Sequence, residues 1–124
     1  MAAIVRLAAI TIDCADPAAL AAFYRAAAEA EILRDDPAAV WLAMAGQTWV
    51  LRRVEGYRPP TWPGEEVPLQ MHLEFSVDDL EQAQTRLCAL GASAYEHQAA
   101  TGLVVMRDPA GHPFCIFAGS GSGD

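Results

Sequence analysis

The sequence predicts an α+β fold of two tandem βαβββ modules forming a curved, cleft-enclosing mixed sheet. Three observations carry the prediction. Ile10-Thr11-Ile12-Asp13, then Asp16-Pro17 and a run through Leu20, Phe23 and Tyr24, are echoed later by Leu73-Glu74-Phe75-Ser76, Asp78-Asp79 and a run through Ala83, Leu87 and Leu90. Asp16 and Asp79 stand 63 positions apart, as do Tyr24 and Leu87. A proline-rich stretch lies at the midpoint, where a join between two copies belongs. Function is expected in the cleft where the two halves meet.

The elements follow in order. Residues 4–12 are apolar on both faces of a strand, which predicts a central position in the sheet. Asp16 is suited to cap the next helix, with Pro17 at its first position. Leu20, Phe23, Tyr24 and Ala27 make one apolar stripe at helical spacing, running to about Glu29, while Asp13 also reads as a cap. Glu31–Asp35 reads as a short edge strand. Val40–Met44 and Thr48–Val54 form a hairpin turned at Gly46. Tyr57 to Pro68 reads as an extended, stiff linker, because Pro59, Pro60 and Pro63 donate no ladder hydrogen bonds. The second module restarts with a strand over Gln70–Val77. Asp78 is expected to cap its helix, with Glu81 as capping-box partner and Gly91 as the left-handed stop. Ser93–His97, Leu103–Arg107 and Pro113–Phe117 complete the strands, with Asp108-Pro109-Ala110-Gly111 as a turn. The predicted organisation is a single domain over residues 1–118, with modules at 4–56 and 69–118, a linker at 57–68 and a disordered tail at 119–124.

Composition bounds the function. A chain of 124 residues, 53% hydrophobic, is sized for one packed domain. The net charge of −8 disfavours nucleic acid and anionic membrane surfaces. No stretch reaches the apolar length of a membrane span, and Met1 to Leu7 lacks the pattern of a signal peptide. Cys14, Cys88 and Cys115 are an odd set without metal-type spacing, which fits reduced thiols in a cytoplasm.

The paired units, Val77-Asp78-Asp79-Leu80 at the start of the second helix, and the ending Asp108-Pro109-Ala110-Gly111-His112-Pro113-Phe114 resemble the vicinal oxygen chelate superfamily. That group holds glyoxalase I, extradiol dioxygenases, fosfomycin-resistance enzymes and bleomycin-resistance proteins. The resemblance covers residues 4–118, and its His-Pro-Phe-Cys close and Pro-Pro-Thr-Trp-Pro linker look like the glyoxalase-like branch. It implies a divalent metal held by residues on the first and last strands of each module. Matched by motif, the four ligand positions here are Ala9, Arg52, His72 and Cys115. Alanine has no donor and arginine carries a fixed positive charge. Two remaining donors fall short of the usual three or four, so no metal or other cofactor is expected.

His72 and Glu74 alternate on one strand and share a face, with Leu73 and Phe75 on the other. With Arg52 they are expected to form a polar cluster that fixes a ligand's acidic or hydroxyl group. The competing reading is an Arg52–Glu74 ion pair bracing the two half-sheets with His72 alongside. Trp41, Trp49, Met44 and Met106 offer an apolar wall, though ordinary core packing explains them more readily. Tyr57 and Trp62 either cover the cleft mouth or pin the linker. His112 reads as a turn residue, and Cys115 as a small buried hydrophobe. Two functions remain open: a small-molecule-binding protein akin to bleomycin-resistance members, or a lyase or isomerase moving protons with His72 and Glu74. A homodimer is expected, as is common in this group.

Overall fold

Strand pairing begins where a partner strand exists, and this decides the start of each half. The computed structural model describes residues 3–98 and 100–119. Its internal contacts divide the chain between Tyr57 and Arg58 into two units. The first contains strand β1 (Ile10–Cys14), helix α1 (Pro17–Ala28) and strands β2 (Glu31–Asp36), β3 (Ala39–Met44) and β4 (Gln47–Arg53). The sheet order is β1-β4-β3-β2, with β1 parallel to β4 and the other pairs antiparallel.

The strand predicted from residue 4 therefore starts at Ile10, and it lies at the sheet edge rather than at its centre. Ile10 pairs with Trp49 in β4, which itself begins at Gln47, so the residues before position 8 have run past the end of their neighbour. Ile4, Val5 and Leu7 are accordingly 100%, 78% and 63% exposed. Asp16 caps α1 as expected, its side chain accepting from the Ala19 amide, and Pro17 fills the first position. The helix closes on a residue in the left-handed region, Glu29 at φ 54°, with the Ala30 amide bonded back to the Tyr24 carbonyl. Leu20, Ala21, Phe23 and Tyr24 are buried where α1 lies against β3 and β4. Val40, Leu42, Trp49 and Leu51 are paired residues on the buried sheet face.

The second unit repeats the order: β5 (Leu73–Val77), α2 (Leu80–Ala89), β6 (Ser93–Ala94), β7 (Leu103–Arg107) and β8 (Pro113–Ala118). Its sheet runs β5-β8-β7-β6, again with one parallel pair, β5 with β8. The start and end of β1 and β5, the caps Asp16 and Asp79, and the starts of the two helices are all 63 positions apart. The cap of α2 is thus Asp79, which accepts from the Gln82 amide at 2.8 Å, and not Asp78. Glu81 then falls two residues after the cap, outside a capping box. Gly91, at φ 115°, ends the helix as expected, with the Ala92 amide reaching the Leu87 carbonyl and the Gly91 amide that of Cys88.

The sequence expectations for the rest of this unit hold in part. Gln70–His72 precede β5 instead of extending it, because its partner β8 begins only at Pro113, the residue that would face His72. The strand predicted over Ser93–His97 keeps two residues, and beyond it Gln98 takes over: its amide accepts from the Val105 N–H and donates to the Tyr95 and Val105 carbonyls. The linker folds back where Thr61 meets Val67, N–H to carbonyl at 2.8 Å. The Thr61 hydroxyl also accepts from the Val67 amide at 2.9 Å. In the closing turn, buried Asp108 accepts from the Ala110 and His112 amides, so His112 is a turn residue. Of the tail expected to be disordered, Gly119 donates to the Val77 carbonyl, and residues 120–124 lie outside the described residues.

Candidate functional site

The second unit gathers reactive side chains on one sheet face through strand geometry alone. His72 and Glu74 are two positions apart, so they project the same way, and β8 lies parallel to β5 with Cys115 paired to Glu74. Leu73, Phe75 and Val77 alternate with exposed His72, Glu74 and Ser76, and Phe75 meets buried Phe114 edge-on at 5.8 Å. The alternation expected from the sequence is observed. The His72 Nε2 lies 3.2 Å from the Glu74 Oε2, and the two side chains are 37% and 62% exposed. One donor atom from each of His72, Glu74 and Cys115 lies within 4.8 Å of the other two. Burial pushes the Cys115 thiol above the ordinary cysteine range, and the charge of Glu74 adds to the shift.

In the first unit the polar pair is Arg52 with Asp13. They are Cα partners between β1 and β4, and the guanidinium grips the carboxylate through Nε at 2.9 Å and Nη2 at 3.1 Å. The hydrogen bond to Asp13, followed by its charge, raises the Arg52 pKa above its ordinary value. Asp13, expected as a cap, is thus the carboxylate that holds Arg52, while the group beside Glu74 is His72. The fork expected to grip a ligand acid already grips a protein acid. Register also shifts the correspondence between halves. Glu74 faces Cys115, whereas Thr11, its counterpart 63 positions earlier, faces Val50. Arg52 sits two residues further along the strand, opposite Asp13.

The aromatic candidates divide between core and surface. Trp49 is 7% exposed and donates its indole N–H to the Met44 carbonyl at 2.9 Å, and Met44 and Met106 are buried as well. These three are core residues. Trp41 pairs with Val50, on the face that carries Arg52, half-buried beneath the Arg34 guanidinium at 4.7 Å. Trp62 packs edge-on against Tyr95 at 5.0 Å and beside His97 at 5.4 Å, which fastens the linker to its own unit. Tyr57 is half-buried, its amide bonded to the Val54 carbonyl. Gln98 is not marked by the sequence, because no short motif signals a side chain that replaces a strand.

The model of the glyoxalase-like domain family matches residues 9–117. The chain belongs to that family. Comparison of the sequence with curated proteins finds no match. Among solved structures, the fosfomycin resistance protein FosX from Listeria monocytogenes is 19% identical with a TM-score of 0.70, over 95% of this chain and 96% of that one. Lactoylglutathione lyase from Agrobacterium tumefaciens is 22% identical with a TM-score of 0.61, over the same shares. A FosX mutant complexed with Mn(II) and a dihydroxypropylphosphonic acid is 19% identical with a TM-score of 0.70, over 95% and 93%. The two four-stranded mixed sheets, each with one helix, therefore have the glyoxalase-like fold.

Membership raises the question of which metal the side chains of this glyoxalase-like chain fit. Ala9 has no donor atom, and neither does Val50, the register counterpart of Cys115. An oxygen-rich set for a hard cation such as Mn²⁺ is not present at the family positions, and Cys115 is a soft donor. Glu74, read from the sequence as a ligand-fixing residue or a proton carrier, also stands among the donors and raises the count from two to three.

Proposed function

We propose that this glyoxalase-like protein binds a small organic molecule, with the exposed face of β5 and β8 as the polar part of the site. The observation that supports the reading is the convergence of His72, Glu74 and Cys115 on that face, two of them solvent-accessible and none spent in the core. A small number of convergent polar groups is what fixes a ligand's orientation in a small-molecule site. On the first unit, Trp41 and the Arg52–Asp13 pair share a face of their own sheet and are a separate set of candidate residues.

A second reading has its own support: the 3.2 Å contact between His72 Nε2 and Glu74 Oε2 is the arrangement in which a carboxylate orients an imidazole for proton transfer. A lyase or isomerase would use it. The test is a thermal-shift screen of carboxylic and hydroxylated aromatic compounds against the wild type, Glu74→Gln and Arg52→Met. Stabilisation lost in Glu74→Gln and kept in Arg52→Met is expected. Equal stabilisation of all three removes the β5 face from the site. Conversion of a stabilising compound, followed by mass spectrometry, would select the enzyme reading.

A further inference from the structure

Three donor types on one sheet face are more specific than a polar patch. We propose that His72, Glu74 and Cys115 of the second unit form a zinc site of three protein donors with its fourth position open. The inference deepens the proposed function and rests on its placing of the site on this face.

Zinc takes nitrogen, oxygen and thiolate donors together, and sites that keep an open position use three protein ligands. Tetrahedral bond lengths to N, O and S put neighbouring donors about 3.3–3.6 Å apart. His72 and Glu74 are already at that spacing, 3.2 Å, and the set lies within 4.8 Å, so a modest rotation of side chains closes it. The backbone already brings all three to one face, because two ligands are alternate residues of one chain stretch and the third is the ladder partner of the second. Two of the three donors are exposed and the third is half-buried, which leaves an approach for the ion and for a fourth ligand. Binding replaces the S–H bond of Cys115 with an S–Zn bond and releases the proton to solvent. The geometry differs from the ligand pattern implied by the superfamily in two ways. All three donors come from one half, and Glu74 lies outside the matched positions.

The experiment uses the full chain, freed of metal by a chelator and titrated with Zn²⁺, Mn²⁺ or Co²⁺ alone. One equivalent of Zn²⁺ per chain is expected, with Mn²⁺ failing to compete, and Co²⁺ should give a thiolate-to-metal charge-transfer band. Cys115→Ser should abolish the band, and Glu74→Gln should weaken Zn²⁺ binding by more than the roughly 10-fold that loss of an outer-shell partner costs. Cys88→Ser, on exposed α2, should leave both unchanged. If Cys115→Ser fails to fold by circular dichroism, protection of Cys115 from alkylation by Zn²⁺ in the wild type decides instead. Substoichiometric zinc, a band that survives Cys115→Ser, or no protection of Cys115 overturns the site. Repeating the compound screen with and without zinc separates the two readings. Compounds that stabilise the chelated protein while zinc does not bind sink the metal site alone. Stoichiometric zinc without any stabilising compound sinks the small-molecule reading alone.

Discussion

Single residues in the second unit are held by contacts that allow few alternatives. Gly111 has φ 87°, and a Cβ placed there would come within 2.6 Å of the Pro59 Cβ. Gly111→Ala is expected to cost about 1–3 kcal/mol, through left-handed strain and displacement of Pro59, measured by urea unfolding. Tyr95 lies between the Trp62 ring and the Arg107 guanidinium, and burial raises its pKa above the ordinary tyrosine value. A phenol whose folded pKa is raised stabilises the fold fully below its unfolded value, about 10, and loses that contribution as pH climbs through the folded value. Melting temperature should therefore fall with alkaline pH in the wild type, and fall less steeply in Tyr95→Phe, which keeps the ring contact. Equal slopes in the two proteins would assign the alkaline loss elsewhere.

At the scale of elements, what the sequence made legible is what local chemistry decides. The Asp16-Pro17 cap, the Gly46 turn, the Gly91 stop and β7 lie where turn and capping residues put them. The starts of β1 and β5 were misplaced because apolar composition does not reveal where a partner strand ends. The short β6 was overextended because the Gln98 amide bonds that replace it join side chain to backbone across seven positions. Within the candidate site, the shared face of His72 and Glu74 was legible from alternation. The approach of Cys115 is implied by the family resemblance and not by alternation, since it depends on the register of β5 against β8. The α1 terminus offers a check on capping logic. Glu29 holds a left-handed φ of 54° with a side chain, where glycine is preferred. Glu29→Gly should raise stability by about 0.5–1 kcal/mol in the same unfolding assay, whereas a loss would mean that its side chain contributes contacts outweighing the strain.

On the scale of the whole molecule, each unit is a four-stranded sheet with open edges, β1 and β2 in one and β5 and β6 in the other. Edge strands invite pairing, and a homodimer is the expected state in solution, checked by light scattering at micromolar concentration. A monomeric mass would count against it. Among the described residues no helix is long and apolar enough to cross a membrane. The repeat itself is uneven: the halves stand 63 positions apart at the first strand, yet Trp49 and Phe114, which face Ile10 and Leu73, stand 65 apart. A slip of two residues along a strand is invisible to packing, because side chains alternate with period two and each apolar residue keeps its face. The same slip carries every outward residue to a new neighbour, which is how Arg52 comes to face Asp13 while Cys115 faces Glu74. Duplicated halves of this kind can therefore diverge in chemistry by gaining or losing residues in pairs, with their interiors undisturbed.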